Sequence, residues 1–124
     1  EEAGANGIVL INTIKAMMID VWISKPVLSN KFGGLSGPAI HPIAIRAIYE
    51  AYEKVNIPII GVGGIDDWIS AVETFLAGAS AVQIGSAISY KGFKIFEEIL
   101  SGIKKYLEVK GYDNILDIIG LAHH

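Results

Sequence analysis

The sequence predicts an α/β fold in which parallel strands alternate with helices. Three short apolar runs predict the strands, at about Gly7–Ile11, Ile57–Gly61 and Ala81–Ile84. Stretches with apolar residues at helical spacing follow these runs. The strand runs are apolar throughout and do not alternate with polar residues, which is typical of parallel strands covered on both faces.

A turn pattern at the start of the chain returns before the third strand. The tripeptide AGA occurs at Ala3–Ala5 and again, 74 positions later, at Ala77–Ala79. In both places we expect the glycine to cap the end of a helix. The spacing leaves room for two strand-plus-helix units, each slightly longer than the roughly 30 residues of a typical βαβ step. The sequence is therefore a repeated β/α series.

Two amphipathic helices are predicted between the strands. The first begins near Pro42, because proline suits a first helical position, and its apolar residues recur to about Val55. The second follows Asp66, which is a predicted N-cap. Its inner face is predicted to carry Ile69, Val72, Phe75 and Leu76.

A third, longer helix is predicted from about Phe93 to Val109, and Gly111 is predicted to end it. Asn114 is expected to cap a last short turn, ILDII. The inward residues of the long helix are predicted to be Ile95, Phe96, Ile99, Ile103, Tyr106 and Leu107.

Residues 14–40 form a long connection between the first strand and its helix. It contains Pro26, a possible short strand at Val21–Ile23, and the segment NKFGGLSGPAI. The connection leaves the carboxyl end of a parallel strand, where sites collect in β/α folds, so we expect it to be functional. The alternative is a surface excursion with no chemistry.

Three strands are too few for a closed (β/α)₈ TIM barrel, which needs eight strands and usually about 250 residues. The strands near Ile8 and Val82 would both carry bare apolar edges, and such edges pair with other strands or aggregate. Residues 1–124 are therefore interpreted as the C-terminal segment of a single larger barrel domain whose N-terminal portion is absent.

Composition excludes several classes of partner. Hydrophobic residues make up 52% and charged residues 19%, and the net charge is −3 with no concentrated Lys or Arg. We therefore expect no nucleic-acid partner. No apolar run approaches the roughly 20 residues of a membrane span, so we expect no membrane partner and no signal peptide. The absence of cysteine fits a cytoplasmic location and excludes a thiol nucleophile within this segment.

Two glycine turns predict a phosphate site. Gly63-Gly64 end the second strand and Gly85-Ser86 end the third, 22 residues later. Glycine lets backbone N–H groups approach an anion, and Ser86 adds a hydroxyl. Adjacent loops after the last two strands form the phosphate cradle of many barrels. Either turn alone could be a simple tight turn, and no GxxxxGK[ST] sequence indicates an ATP-type loop.

Two further stretches are candidates for the same edge of the sheet. The glycines of Gly33–Pro38 could bring backbone against a flat ring or a phosphate, or form a flexible turn. Asn12-Thr13 place polar side chains directly after the first strand, where an amide suits an amide-bearing substrate. The alternative for this pair is a helix cap or a loop start.

These motifs together resemble one enzyme family. INT, NKFGGLSGPAI, IPIIGVGGI, AGASAVQIGSA and DIIGLAHH are similar to the C-terminal part of class 1 dihydroorotate dehydrogenases, and GGLSGPAI is most similar to the class 1B catalytic subunit. The resemblance covers essentially the whole chain. It implies an FMN-dependent TIM barrel that oxidises dihydroorotate to orotate in pyrimidine biosynthesis.

The resemblance also implies roles for single residues. Asn12 and Thr13 would bind substrate. His41 stands where relatives often carry Lys, and we expect that position to be peripheral. The residues implied to contact FMN, the last four around its phosphate, are Ile11, Gly37, Gly63, Gly64, Gly85 and Ser86.

The family's catalytic base, a cysteine in class 1B, and its flavin-contacting lysine belong to the first half of the barrel. The resemblance therefore implies that this chain supplies binding and not the base, and that residues 1–124 alone are inactive. In the whole enzyme, hydride would pass from dihydroorotate to flavin N5. Class 1B enzymes pass electrons on to NAD through a partner subunit with FAD and an iron–sulfur cluster.

Other interpretations stay open at this point. The phosphate cradle also fits a dihydrouridine synthase or an IMP dehydrogenase-like barrel, although Asn12-Thr13 with GGLSGPAI argues against both. A non-catalytic half-barrel that binds phosphate or assembles with itself is a further alternative. Asp66 and Asp67 are expected to start a helix. His123-His124 are expected to be a frayed terminus, and no metal site is expected.

Overall fold

The computed structural model describes residues 1–124 as seven short strands and four helices. The strands are β1 (Ile8–Leu10), β2 (Ile14–Ala16), β3 (Ile19–Asp20), β4 (Lys25–Pro26), β5 (Gly33–Leu35), β6 (Ile59–Val62) and β7 (Ala81–Gln83). The helices are α1 (His41–Tyr52), α2 (Trp68–Leu76), α3 (Ala87–Lys91) and α4 (Lys94–Lys110). Three 3-10 turns lie at Pro38–Ile40, Ile115–Ile118 and Leu121–His123.

The main sheet contains β1, β6 and β7 in that spatial order, and all of its pairings are parallel. Gly61 at the centre pairs with Leu10 on one side and with Val82 on the other. The predicted α/β class with three parallel strands is confirmed, and β6 starts two residues later than predicted. β1 and β7 are the edge strands, as expected from the bare edges near Ile8 and Val82.

The helices pack on one face of this sheet. Ile48 of α1 and Ile59 of β6 are buried together in that layer. Gly61 carries no side chain because Thr74 and Ile48 occupy the space that a Cβ would need. The prediction that the strands are covered on both faces is wrong for this chain. Val9, which points away from the helices, is 51% exposed, since no element of the chain lies over that face.

Helices α1 and α2 begin close to their predicted starts. Pro42 lies in the first turn of α1, as predicted. The N-cap of α2 is Asp67 and not Asp66: its carboxylate accepts the N–H of Ser70 at 2.7 Å, and Ser70 completes a capping box. The predicted inner position of Ile69 is wrong, because this cap turns Ser70 inward and leaves Ile69 57% exposed.

Helix α4 is bounded as predicted. Gly111 ends it in the left-handed conformation, with φ of 76°, and Asn114 caps the following 3-10 turn by accepting the Leu116 N–H at 2.8 Å. Ile95 is buried, but Phe96, predicted to point inward, is 40% exposed. None of the four helices combines the length and apolar composition that crossing a membrane requires.

The long connection folds into two antiparallel ribbons, β2 with β5 and β3 with β4. The short strand predicted at Val21–Ile23 is wrong, because these residues form the turn between β3 and β4. The Asp20 carboxylate accepts the N–H groups of Trp22 at 2.9 Å and Ile23 at 3.2 Å, which closes that turn. The first glycine pattern is also a turn and not a helix end, with Gly4 N–H donating to Glu1 O.

The C-terminus is held by a histidine. The ring of His123 stacks on Tyr49 with 3.7 Å between ring centroids, and its Nε2 lies 3.1 Å from the Ala77 carbonyl oxygen. The expectation of a frayed terminus is therefore wrong for His123, whose side chain is 8% exposed.

Candidate functional site

One cleft lies where the carboxyl ends of the parallel strands meet. β6 and β7 are adjacent, so the turns that follow them leave the same edge of the sheet. The cleft has a volume of about 120 Å³. It is lined by seven of the eight predicted site residues, Ile11, Thr13, Gly37, Gly63, Gly64, Gly85 and Ser86.

The two glycine turns offer hydrogen-bond donors to this cleft. The backbone N–H groups of Gly64, Gly85 and Ser86 donate to no backbone carbonyl of the chain. The Ser86 hydroxyl lies 2.6 Å from the hydroxyl of Ser36, which also lines the cleft. A cleft that is lined by residues with unengaged N–H groups and a hydroxyl, and by no carboxylate, suits an anion with several oxygens, such as a phosphate.

The glycines of the cleft serve two different purposes. A Cβ on Gly37 or Gly85 would meet no atom within 4 Å, so bare backbone faces open space at both positions. Gly64 has a φ of 68°, and a Cβ there would lie 2.6 Å from the Gly37 oxygen. Gly64 is thus required by the turn itself. Gly37, with a φ of 92°, also has a backbone conformation that favours glycine, and both Gly37 and Gly85 leave room for a ligand.

His41 lies directly against the first glycine turn. Its Nδ1 is 2.8 Å from the Gly63 carbonyl oxygen and its Nε2 is 3.1 Å from Oε2 of Glu73. The expectation that this position is peripheral is wrong, because the residue is only 9% exposed and touches the backbone of the cleft. No sequence pattern signalled this contact, since it joins residues 22 positions apart.

Asp66 follows the first glycine turn and contacts α3, the helix that follows the second turn. The Tyr90 hydroxyl donates to its carboxylate at 3.3 Å, and Nζ of Lys91 donates to its carbonyl oxygen. Partial desolvation, together with the negative charge and accepted hydrogen bond of Asp66, raises the pKa of Tyr90. Burial favours a higher pKa for the neighbouring Asp67, but hydrogen bonds from Ser70 and the charge of Lys91 hold that pKa below its usual value.

Asn12 lies outside the main cleft. It lines an adjoining shallow cleft of about 270 Å³ with Thr13, Lys15 and Phe32. Its Oδ1 accepts the Thr13 N–H at 2.7 Å, which fixes the side chain and leaves the amide NH₂ group without a partner in the chain. Because Thr13 lines both clefts, the structure places the two predicted substrate residues beside the predicted cofactor residues.

The remaining candidates form no metal centre. No group of three or more His, Cys, Asp or Glu side chains lies close enough to hold a metal ion.

Comparison with known proteins gives the family. Residues 1–107 match the profile of a protein family described as dihydroorotate dehydrogenase. The chain belongs to this family. The similarity predicted from GGLSGPAI and the glycine turns is thereby confirmed, and the dihydrouridine synthase and IMP dehydrogenase-like alternatives are not supported.

Individual dihydroorotate dehydrogenases match nearly the whole chain. A protein from Pyrococcus furiosus is 58% identical over 122 residues, which cover 98% of this chain and 41% of the relative. One from Methanosarcina acetivorans is 51% identical over 123 residues, which cover 99% and 39%. Both are named dihydroorotate dehydrogenase B (NAD(+)), catalytic subunit.

A protein from Aeropyrum pernix, 50% identical over 122 residues covering 98% of this chain and 40% of the relative, is named provisionally as the A (fumarate) type. The chain thus spans about 40% of the length of the curated relatives it matches.

Proposed function

We propose that residues 1–124 are the C-terminal segment of an FMN-binding (β/α)₈ barrel that oxidises dihydroorotate to orotate in de novo pyrimidine biosynthesis. The observation that carries the proposal is the cleft at the carboxyl edge of the sheet, where both glycine turns present unpaired N–H groups. Membership of the family and the exposed edges of β1 and β7 support it.

The chemistry of the cleft fits the phosphate of FMN. Backbone N–H groups of Gly64, Gly85 and Ser86 would hold the phosphate oxygens, and the open space beside Gly85 admits them. Ile11 and Gly37 line the same cleft beside the first glycine turn, where they would contact the remainder of the flavin. When bound, FMN supplies the two-electron acceptor for the hydride of dihydroorotate.

Asn12 and Thr13 are proposed to bind the dihydroorotate ring. The amide NH₂ of Asn12 is free to donate to a ring carbonyl, because only its Oδ1 is engaged within the chain. Lys15 lies in the same shallow cleft and adds a positive charge for an anionic substrate. No cysteine is present, so the proton-accepting base is proposed to come from outside these residues.

The whole enzyme is proposed to be cytoplasmic and of the B type. In that arrangement, electrons leave through a partner subunit with FAD and an iron–sulfur cluster and reach NAD. The names of the Pyrococcus and Methanosarcina relatives support this choice.

The test uses the full-length enzyme that contains this chain. We expect the purified protein to carry FMN and its flavin absorbance to bleach anaerobically on addition of dihydroorotate. Gly85→Val, which fills the open space of the cleft, should yield a folded protein with little flavin. Flavin that is retained in this variant would contradict the proposed phosphate site, and wild-type protein without flavin would contradict the proposed function.

The electron acceptor is tested separately with the same reduced enzyme. NAD should reoxidise the flavin only when the proposed partner subunit is added. Rapid reoxidation by fumarate without any partner would instead assign the enzyme to the A type.

A further inference from the structure

His41 is the first residue of α1, and its side chain lies beneath the Gly63-Gly64 turn. The side chain is 11% exposed. Its Nδ1 contacts the Gly63 carbonyl oxygen at 2.8 Å, and its Nε2 contacts Oε2 of Glu73, on α2, at 3.1 Å. The ring therefore joins α1, the glycine turn and α2.

Both atoms that contact the ring are hydrogen-bond acceptors. A carbonyl oxygen has no proton to donate, and an ionised carboxylate has none either. The Glu73 side chain is 54% exposed, so water stabilises its charge. A neutral imidazole carries only one N–H and would leave one contact with two facing lone pairs. Both contacts are hydrogen bonds when the His41 ring carries both protons and a positive charge.

The contact with Gly63 also fixes the direction of the next N–H group. The peptide bond between Gly63 and Gly64 is trans, so its C=O and N–H point in opposite directions. Since the carbonyl points at His41, the N–H of Gly64 points away from the ring. Gly64 lines the cleft, and this N–H donates to no backbone carbonyl of the chain.

The Gly63-Gly64 turn also packs against the Cβ and backbone of His41. A Cβ on Gly64 would lie 2.8 Å from the Cβ of His41, so the two residues are already in close contact. The backbone of the turn therefore lies directly against the first residue of α1.

We propose that His41, as an imidazolium ion held by Glu73, is a positioning residue for the phosphate of the cofactor. It touches neither cofactor nor substrate. It orients the Gly64 N–H toward the phosphate and places one buried positive charge behind the turn. The inference rests on the proposed function, because it takes the anion in the cleft to be the phosphate of FMN.

The phosphate gives a direct test, because riboflavin is the same flavin without it. Flavin is removed from the full-length enzyme, and the dissociation constants of FMN and riboflavin are measured by fluorescence quenching. His41→Leu should raise the dissociation constant of FMN by about tenfold or more, as expected for loss of a charge-assisted hydrogen bond. The same variant should change riboflavin binding by less than about twofold, because riboflavin makes no phosphate contacts.

Two conservative variants separate orientation from charge. His41→Asn keeps an N–H donor near the position of Nδ1, so it should recover part of the FMN affinity lost in His41→Leu. Glu73→Gln lets a neutral His41 accept a hydrogen bond from the amide. This variant should weaken the binding of FMN but not of riboflavin, while the turn keeps its shape. Glu73 is half-exposed, and this variant serves if His41→Leu fails to fold.

Nuclear magnetic resonance of ¹⁵N-histidine-labelled protein checks the charge. Both ring nitrogens of His41 should carry protons in the wild type, and one should lack a proton in Glu73→Gln. An unprotonated Nε2 in the wild type would overturn the inference. Equal losses of affinity for FMN and for riboflavin in His41→Leu would overturn it as well. Wild-type protein that does not prefer FMN to riboflavin would overturn the proposed function instead.

Discussion

The hydroxyl of Ser86 lies 2.6 Å from the hydroxyl of Ser36, which is 50 residues away in the sequence. Ser36 follows β5 in the long connection, and Ser86 follows β7 in the main sheet. The contact brings the connection across the carboxyl edge of the sheet and places Gly37 in the same cleft as the glycine turns. The long connection therefore forms one wall of the candidate cofactor site.

Removing the Ser86 hydroxyl should weaken cofactor binding. In the full-length enzyme, Ser86→Ala should raise the FMN dissociation constant by about fivefold, which corresponds to about 1 kcal/mol for one hydrogen bond. Ser86→Thr keeps the hydroxyl and should bind FMN as the wild type does. Ser101→Ala, an exposed position on α4, is the control. Equal FMN affinity in the alanine and threonine variants at position 86 would show that the hydroxyl takes no part.

A side chain at Gly64 should damage both the fold and the site. Gly64→Ala places a Cβ 2.6 Å from the Gly37 oxygen at a φ of 68°, so we expect a loss of more than about 1 kcal/mol in the free energy of unfolding. Gly111→Ala is the matched control, because Gly111 has a φ of 76° and open space around its Cβ position. Chemical denaturation of both variants should show the larger loss at Gly64. Equal losses would mean that backbone strain alone, and not crowding against Gly37, sets the cost.

The Asn12 amide should serve the substrate and not the flavin. Asn12→Ala should leave flavin bound but lower kcat/KM for dihydroorotate by about tenfold or more, since loss of about 1.4 kcal/mol of transition-state stabilisation has that effect. Asn30→Ala, an exposed asparagine of the long connection, is the control. A colourless protein, or full activity, would contradict the role proposed for Asn12.

Local sequence signals predicted the parts of this structure that depend on local chemistry. Gly111 ended a helix and Asn114 capped a turn as predicted, because these functions need only neighbouring backbone. The glycine turns were predicted at strand ends, and parallel pairing of β6 and β7 then placed them together. The choice of Asp67 over Asp66 as N-cap was missed, since either carboxylate could have served.

Contacts between distant residues account for what the sequence could not reveal. The burial of His41 depends on Gly63 and Glu73, which are 22 and 32 positions away. The ring of His123, near the end of the chain, stacks on the ring of Tyr49 in α1. The strands were predicted to be covered on both faces, yet Val9 is exposed, because an apolar run shows no difference between a face packed by the chain's own helices and a face left uncovered.

The Asp67 cap should stabilise the protein in a pH-dependent way. Its pKa is lowered in the folded state, so its contribution is full above the unfolded value of about 4 and is lost as pH falls through the lower folded value. Asp67→Ala should cost about 1 kcal/mol at pH 7, and the difference from wild type should shrink below about pH 4. Asp67→Asn keeps an acceptor that does not titrate. Its advantage over alanine should stay constant with pH, as followed by urea denaturation.

Residues 1–124 expressed alone should not oxidise dihydroorotate. β1 and β7 have unpaired edges, and the face that carries Val9 is exposed, so the isolated chain should also associate with itself. No cysteine is present, and none of the candidate site residues is proposed as a general base. Such a base would have to lie within about 3 Å of the substrate proton that it removes. Anaerobic incubation with FMN and dihydroorotate should leave the flavin absorbance unchanged, while the full-length enzyme bleaches it. Flavin reduction by a monodisperse preparation of the isolated chain would show instead that these residues contain a complete active site.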